Sequence, residues 1–454
     1  MRKYFGTDGI RRIANTELSP ELVYKVAKAG AYVLSKHSDH TPTILIGRDT
    51  RISGTLIESA MVAGFLSYGA NVKLLGVIPT PAVAYLTRKL NADASVVISA
   101  SHNTYEFNGI KYFSNKGMKI SDELEEEIEE VMESGKLEEL TAENEKIGVS
   151  EYCLDLIDEY VYFFRKNFDD EIEKNLNDNF IVGIDTANGA TSVVAEKVFK
   201  TLGIKYKIIN NNPDGININD NCGSTHLEGL KKFVVENKLS LGIAYDGDGD
   251  RCLAIDEKGN EIDGDKLLAI ISRSLKKKGK LNKDTIVATV MSNLGLNKYA
   301  KENGLQLLQT KVGDRYVLEK MLKEGYNLGG EQSGHVILLD YNPTGDGILT
   351  SLMLIKTILE EKKKASELGD LIKLYPQVLI NAKVNSEKKY DYEQNKDIKE
   401  AIEKLEKEFA GNGRVLIRPS GTEPLVRVMI EGEDQEYITK KAKDIAKLIE
   451  EKLK

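Results

Sequence analysis

The segment DGDGDR at Asp246–Arg251 places the carboxylates of Asp246, Asp248 and Asp250 at every second position, with glycines between them. Glycine lets the backbone turn tightly, so these oxygens can converge on one hard divalent cation. An EF-hand loop competes, since Glu257 falls at its twelfth position, but Arg251 stands at the sixth, where that loop needs glycine. The flanks LGIAY and CLAID also read as strands, not helices. A purely structural turn stays open. ISASHN at Ile98–Asn103 follows the strand-like run ASVVIS, which places Ser101 at the end of a βα unit, where ligands gather in such sheets. Ser101 lacks the Gly-x-Ser-x-Gly elbow of a hydrolase nucleophile, and a helix cap is its plainer alternative. GGEQSGH at Gly329–His335 gathers a carboxylate, an amide, a hydroxyl and an imidazole on a glycine-flanked loop, a set that can grip sugar hydroxyls or simply turn the chain into a strand. RPSGTEP at Arg418–Pro424, with Arg427 nearby, combines guanidinium, hydroxyls and a glycine able to present backbone N–H groups. That is phosphate-cradle chemistry, with an ordinary hairpin as the alternative.

The elements that must position these segments alternate. From Thr43 the order is TILIG, a helical ISGTLIESAMVAGFLSYG, NVKLLG, a helix opened by PTPAVAYL, and ASVVIS, which is βαβ grammar and predicts a mostly parallel sheet with helices on its faces. An acidic helix from Asp122 to about Glu133 leads into a polar stretch near Leu137–Gly148, the first boundary. FIVGID, a helix near Ala190–Leu202, KYKIIN, a helix from His226 and LGIAYD form a second unit. The third runs from a helix at Asp265 through TIVATV, LQLLQT and GGEQSGHVIL to a long helix near Gly347–Lys363. After Pro376 the order changes to strand, helix, two strands and a terminal helix, a small α+β unit. The expectation is an α/β protein of three similar mixed domains, 1–150, 151–256 and 257–372, followed by a smaller α+β domain, 373–454.

Composition narrows the function. At 454 residues with 41% hydrophobic and 30% charged side chains, the chain should fold throughout into several domains. Net charge is −8 with Lys and Arg scattered among Asp and Glu, which argues against nucleic acid as a partner. The cysteines, Cys153, Cys222 and Cys252, are odd in number and form no Cys-x-x-Cys pair, which fits a reducing compartment. The N-terminal MRKYFGTDGIRR has no apolar stretch, and no run of about 18 apolar residues follows, so neither signal peptide nor membrane span is expected. A cytoplasmic monomer or homodimer results. The acidic DELEEEIEEVMESG reads as a solvated helix face, and the aliphatic stripe of YITKKAKDIAKLIEEKLK as a surface that packs on its own sheet.

Taken in this order, the segments resemble the α-D-phosphohexomutase superfamily from Gly6 to Arg427, and GTDGIR, CGSTH, VGDRYV and GEQSGH are the wording of its amino-sugar branch. The resemblance implies a Mg²⁺-dependent isomerase that moves a phosphoryl group between two positions of a hexosamine monophosphate through a sugar bisphosphate, feeding amino-sugar nucleotide and cell-wall precursor synthesis. Ser101 would be the phosphorylated serine and, with Asp246, Asp248 and Asp250, would hold Mg²⁺. Arg11, His102, Lys111 and Arg251 would line the reacting phosphate, with Lys111 a general acid/base. Glu331, Ser333 and His335 would hold the sugar; Arg418, Ser420, Gly421, Thr422 and Arg427 would hold the distal phosphate. Thr104 stands where the serine loop of the superfamily normally has proline, and Arg12 where glycine commonly follows GTDGIR. Within the superfamily a glucose or mannose phosphate preference is the alternative; outside it, a phosphosugar-binding protein or a phosphatase.

A phosphoserine carries about −1.5 to −2 charges at neutral pH, and beside these aspartates it needs a counter-ion. The bisphosphate must also turn around before its other phosphate returns to the serine, which asks for a site that holds either end of the sugar.

Overall fold

In the computed structural model, which describes residues 3–6, 8–36, 38–420 and 423–454, the β-branched runs become the inner strands of a six-stranded sheet. Its order is Ile10–Ile13, Phe107–Ser114, Ala94–Ile98, Thr43–Arg48, Asn71–Val77 and Ser150–Tyr152. Thr43–Arg48 runs parallel to both Asn71–Val77 and Ala94–Ile98. Such strands are covered on both faces, which is why TILIG reads as a continuous apolar run. Ile44, Ile46, Val96 and Ile98 are buried with Val26, Met61 and Phe65 of the helices Pro20–Ser35 and Gly54–Tyr68. Each such side chain contributes about 1.5–3 kcal/mol by leaving water.

One sequence expectation fails here in an informative way. Ala94–Ile98 leads not into a helix but, through the Ser101 loop, into Phe107–Ser114, which returns antiparallel. FNGIKYFS is strand-forming by its β-branched and aromatic residues, and it pairs on its other side with Ile10–Ile13. The serine therefore sits on a strand-to-strand connection. The acidic helix Asp122–Glu133 departs too, for Glu125 and Glu129 are buried. Glu129 accepts the backbone N–H groups of Lys3, Tyr4 and Phe5 at 2.6, 2.7 and 2.7 Å, pinning the segment that leads to Asp8 and Arg11.

The second sheet has the order Glu261–Ile262, Cys252–Asp256, Leu241–Tyr245, Ile181–Asp185 and Lys205–Ile209, and the third Gln306–Thr310, Thr285–Thr289, Leu328–Gly330 and Val336–Leu338. By contacts, these three sheets belong to one compact unit, Met1–Met291 with Leu305–Leu371. A second unit combines Ser292–Gly304 with Ile372–Lys454. There Gln377–Lys383, Leu425–Gly432 and Gly413–Pro419 form an antiparallel sheet. Ile438, Ala442, Ile445 and Ile449 of the terminal helix Gln435–Lys452 are buried in one core with Val426, Val428 and Ile430, so its aliphatic stripe packs on its own sheet. The helix Leu294–Glu302 joins this unit through Asn293, whose side chain bonds both backbone groups of Tyr375 at 2.9 Å. Gly295 has no room for a side chain, since a Cβ would lie 2.3 Å from the Lys373 carbonyl.

The fold is thus mixed α/β with a smaller antiparallel α+β unit. Cys153, Cys222 and Cys252 are free thiols. Among the described residues no helix is long and apolar enough to cross a membrane.

Candidate active site

The aspartate segment is the connection between Leu241–Tyr245 and Cys252–Asp256, which pair antiparallel, so the helices of an EF-hand are replaced by strands. Asp246, Asp248 and Asp250 are buried, and one carboxylate oxygen of each lies within 4.8 Å of the others. Their surroundings fit a cation. Asp248 Oδ1 and Asp250 Oδ1 are buried without a hydrogen-bond partner among the described residues, and an unpaired buried carboxylate oxygen is costly unless it ligates. Burial and then the like charges of Asp250 and Asp248 push Asp246 well above the usual carboxylate range, a strain that a bound divalent ion would relieve.

Ser101 brings its hydroxyl to this cluster. It is buried, with its backbone at φ 51, and its Oγ donates to Asp246 Oδ2 at 2.8 Å. His102 Nδ1 lies 3.4 Å from Ser101 Oγ and accepts from Arg251 at 3.0 Å. Burial, then Arg251 and Arg11, push His102 down to about 4, so the imidazole is neutral near pH 7. Arg11 donates to Asn103 Oδ1 and Asp8 Oδ2, both at 3.1 Å.

Lys111 is on the strand paired with Arg11's. Its buried ammonium lies 2.9 Å from Asp248, 3.3 Å from Asp8 and 3.8 Å from Asp250. Burial alone would lower its pKa, but those carboxylates outweigh it and hold Lys111 above the ordinary lysine value. In return Asp248 is held below the carboxylate range against its own burial, chiefly by Lys111. Thr80 completes the support with its Oγ1 donating to Asp248 at 2.7 Å. Arg251 is likewise raised: burial opposes, while Asp246, Asp250 and Asp248 prevail, and Glu331 adds to them.

His335 is buried on the loop between Leu328–Gly330 and Val336–Leu338. Its Nε2 accepts from the Gly345 N–H at 3.3 Å and lies 3.5 Å from Asp314 and 3.9 Å from Asp250. Glu331 accepts from Gly313 N–H at 3.1 Å, and the Ser333 hydroxyl is buried without a partner among the described residues. The structure thus joins Arg11, Ser101, His102, Lys111, the aspartates, Arg251 and His335 into one connected set. Asp8, Lys119 and Asp314 escaped sequence reasoning. Lys119 bridges Asp8 and Asp314, carrying the alternation of charge from Lys111 to Asp314. Asp8 and Asp314 were visible inside GTDGIR and VGDRYV, but only as members of a motif.

In the second unit Arg418 and Arg427 sit opposite each other on neighbouring strands. Arg427 has Glu423 at 3.5 Å, and no carboxylate pairs with Arg418 among the described residues. Like charges across a ladder are unfavourable without an anion between them. Ser420 is buried and its Oγ accepts from Glu423 N–H at 3.2 Å. Gly421 and Thr422 lie outside the described residues.

Models of the phosphoglucomutase/phosphomannomutase α/β/α domains I, II and III match residues 2–139, 158–259 and 263–375, and that of the C-terminal domain matches 379–448. Phosphoglucosamine mutases of Acetivibrio thermocellus and Ruminiclostridium cellulolyticum are 54% and 52% identical over 100% of both chains. Among solved structures, a phosphoglucomutase/phosphomannomutase family protein of Burkholderia thailandensis superposes with TM-score 0.79 at 21% identity, covering 98% of this chain and 96% of its own. Aspergillus fumigatus N-acetylphosphoglucosamine mutase, solved in complex with GlcNAc-6P and magnesium, does so with TM-score 0.70 at 16% identity, covering 99% and 96%. With all four domain models matched in order and half of all residues shared end to end with curated relatives, the chain belongs to the phosphoglucomutase/phosphomannomutase family, among its phosphoglucosamine mutases.

Proposed function

We propose that this chain is an isomerase interconverting glucosamine 6-phosphate and glucosamine 1-phosphate, with Ser101 carrying the phosphoryl group. The observation that carries the reading is the Ser101 hydroxyl held 2.8 Å from Asp246 inside a buried carboxylate cluster flanked by Lys111 and Arg251. That arrangement has little use for an unphosphorylated serine, and much for one whose phosphate needs counter-charge.

In the first half-reaction the phosphorus–Oγ bond of phospho-Ser101 breaks as a bond forms to the free hydroxyl oxygen of the sugar monophosphate, which loses its proton. In the second half, after the bisphosphate has turned, its other phosphorus–oxygen bond breaks, the group returns to Oγ, and the freed sugar oxygen gains a proton. In each half a proton leaves the attacking oxygen and one reaches the leaving oxygen, from the sugar hydroxyl to Oγ in the first half and back in the second, with Lys111 the general acid/base; its raised pKa keeps it the ammonium, the form that donates. Mg²⁺ held by Asp246, Asp248, Asp250 and the Ser101 oxygen would supply the positive charge that a phosphoserine requires among carboxylates. Arg251 and Arg11 add cations that need no metal. Glu331, Ser333 and His335 hold the sugar, and Arg418, Ser420 and Arg427, with Gly421 and Thr422, hold the phosphate that is not reacting. A cytoplasmic location fits the free thiols.

The test is the intact mass of the purified protein, together with turnover of the Ser101→Ala variant. A partial species heavier by about 80 Da, one phosphoryl group, should map to Ser101. Ser101→Ala should fold and lose turnover by several orders of magnitude; near wild-type activity in that variant overturns the reading.

A further inference from the structure

Ser101 occupies the left-handed backbone region at φ 51, a conformation that is unfavourable for a non-glycine residue and persists only where its surroundings impose it. The groups that impose it are not those around Oγ. They grip the peptide on either side of the residue. Ser101 N–H donates to Ser99 Oγ at 2.9 Å, and that hydroxyl donates to Asp49 at 2.6 Å. The Ser101 carbonyl accepts from Arg51 at 3.1 Å and from Asn219 at 2.9 Å.

Arg51 is a fully buried guanidinium whose donors all have partners. Its Nε bonds Asp49 at 2.8 Å. One terminal nitrogen serves the Thr104 carbonyl and that of Phe107, the latter at 2.9 Å. The other serves those of Ser101 and of Asn103, the latter at 2.8 Å. A guanidinium offers five N–H groups in a rigid fork, and here the fork spans the whole serine loop. Asn219, from the segment between the strands Lys205–Ile209 and Leu241–Tyr245, bonds two of the same carbonyls, Ser101 and Asn103, at 2.9 and 2.8 Å. The aspartate loop closes on this clamp. A Cβ on Gly247 would lie 2.5 Å from the Ser101 carbonyl oxygen and 2.7 Å from Asn219 Nδ2, so the glycine is what lets the metal loop and the clamp meet. No part of this network touches Oγ, and Thr104 supplies none of the φ restriction that proline would give the same loop.

We propose that Arg51 and Asn219 are positioning residues that hold Ser101 in its left-handed conformation, and with it the aim of Oγ at the aspartate cluster. The inference rests on the reading of Ser101 as the phosphoryl carrier. With Thr104 leaving φ free, hydrogen bonds from two side chains fix the loop from outside.

The experiment measures kcat and KM for the sugar monophosphate, with melting temperature, in wild type, Asn219→Gly, Arg51→Lys, and Asn219→Gly combined with Thr104→Pro. Glycine is the clean deletion because Asn219 itself sits at φ 58, where alanine would add strain. A misplacement of about 1 Å at a reacting centre costs on the order of 100-fold, so Asn219→Gly should lose roughly 30- to 100-fold in kcat while KM stays within about threefold. Arg51→Lys keeps the charge beside Asp49 but has about three donors for five carbonyl and carboxylate contacts, and should show the same split. Thr104→Pro should raise kcat more in the Asn219→Gly background than in wild type, a coupling that general destabilisation would not produce. A folded Asn219→Gly enzyme with kcat within about threefold of wild type overturns the clamp, as does a loss that merely follows the folded fraction. If wild type also carries no phosphate on Ser101, the functional reading falls with it; if wild type is phosphorylated, the clamp alone falls.

Discussion

Lys111 has Asp248, Asp8 and Asp250 within 3.8 Å, so its charge and that of a bound cation draw on the same carboxylates. Asp248→Asn removes its nearest partner and one ligand together. The expected outcome is turnover that needs far more Mg²⁺, read as activity against free metal after chelation, with the chelated wild-type enzyme inactive and restored by Mg²⁺. Better activation by Zn²⁺ or Ca²⁺ would contradict a hard-oxygen Mg²⁺ site. Arg418 makes a different kind of claim. Burial and then Arg427 depress its pKa, as expected for cations gathered to meet an anion. Arg418→Ala should cost on the order of 2–3 kcal/mol in transition-state stabilisation. Because a catalyst leaves the equilibrium constant alone, kcat/KM should fall equally for the two monophosphates, and assays in both directions check this.

The helix Gly347–Glu361 is capped by Asp346, whose Oδ1 accepts from Leu349 N–H at 2.9 Å and from the Tyr160 hydroxyl at 2.8 Å, while Asn342 donates to the other oxygen at 3.1 Å. Burial pushes this carboxyl up to about 6 despite those donors. The folded state thus binds the proton more tightly than the unfolded chain. The group's contribution to stability is full below the unfolded value near 4, shrinks as pH rises, and is lost above about 6. Asp346→Asn keeps a capping oxygen but cannot titrate. Between pH 7 and pH 5 wild type should gain about 1.4 kcal/mol on the variant, measured by denaturant unfolding at each pH; no change would mean the carboxyl is not raised. Elements of this kind were mostly legible. Apolar runs, capping residues and turn glycines gave the strands and helices of each unit, and glycines between aspartates announced a cation loop. What stayed hidden was which partner each segment takes: that FNGIKYFS turns back beside ASVVI instead of giving way to a helix, and, at long range, that Glu129 leaves solvent to bind Lys3–Phe5 and that Asp8 and Asp314 meet through Lys119. Residues more than a hundred positions apart leave no periodicity to read. Arg51 and Asn219 escaped too, since they meet the serine loop only through its backbone carbonyls, and a carbonyl has no residue type to betray the contact.

At the scale of the molecule, four domain models match consecutive stretches of chain, yet the second compact unit takes Ser292–Gly304 from far upstream. Asn293 bonds Tyr375 on both backbone groups, Glu431 accepts from Leu294 N–H at 3.2 Å, and Arg414 bonds the Ser292 carbonyl. Each such bond is worth about 1 kcal/mol net, so a fragment of residues 372–454 should be roughly 4 kcal/mol less stable than one with residues 292–304 joined to it. Denaturant titration of both fragments decides it, and equal midpoints would show the upstream segment to be dispensable. The same discontinuity has a consequence in time. A ribosome delivers chain in one direction at about 5–20 residues per second, so some 150 residues and roughly 8–30 s separate the emergence of Gly304 from that of Lys454. Throughout that interval Leu296, Tyr299 and Ala300, buried in the finished protein, belong to a helix whose host does not yet exist. The nascent chain must carry an uncovered apolar stripe while more than eighty residues of its future cover are still being made, so this short helix stays open to wrong partners longer than a segment whose cover is its neighbour in sequence.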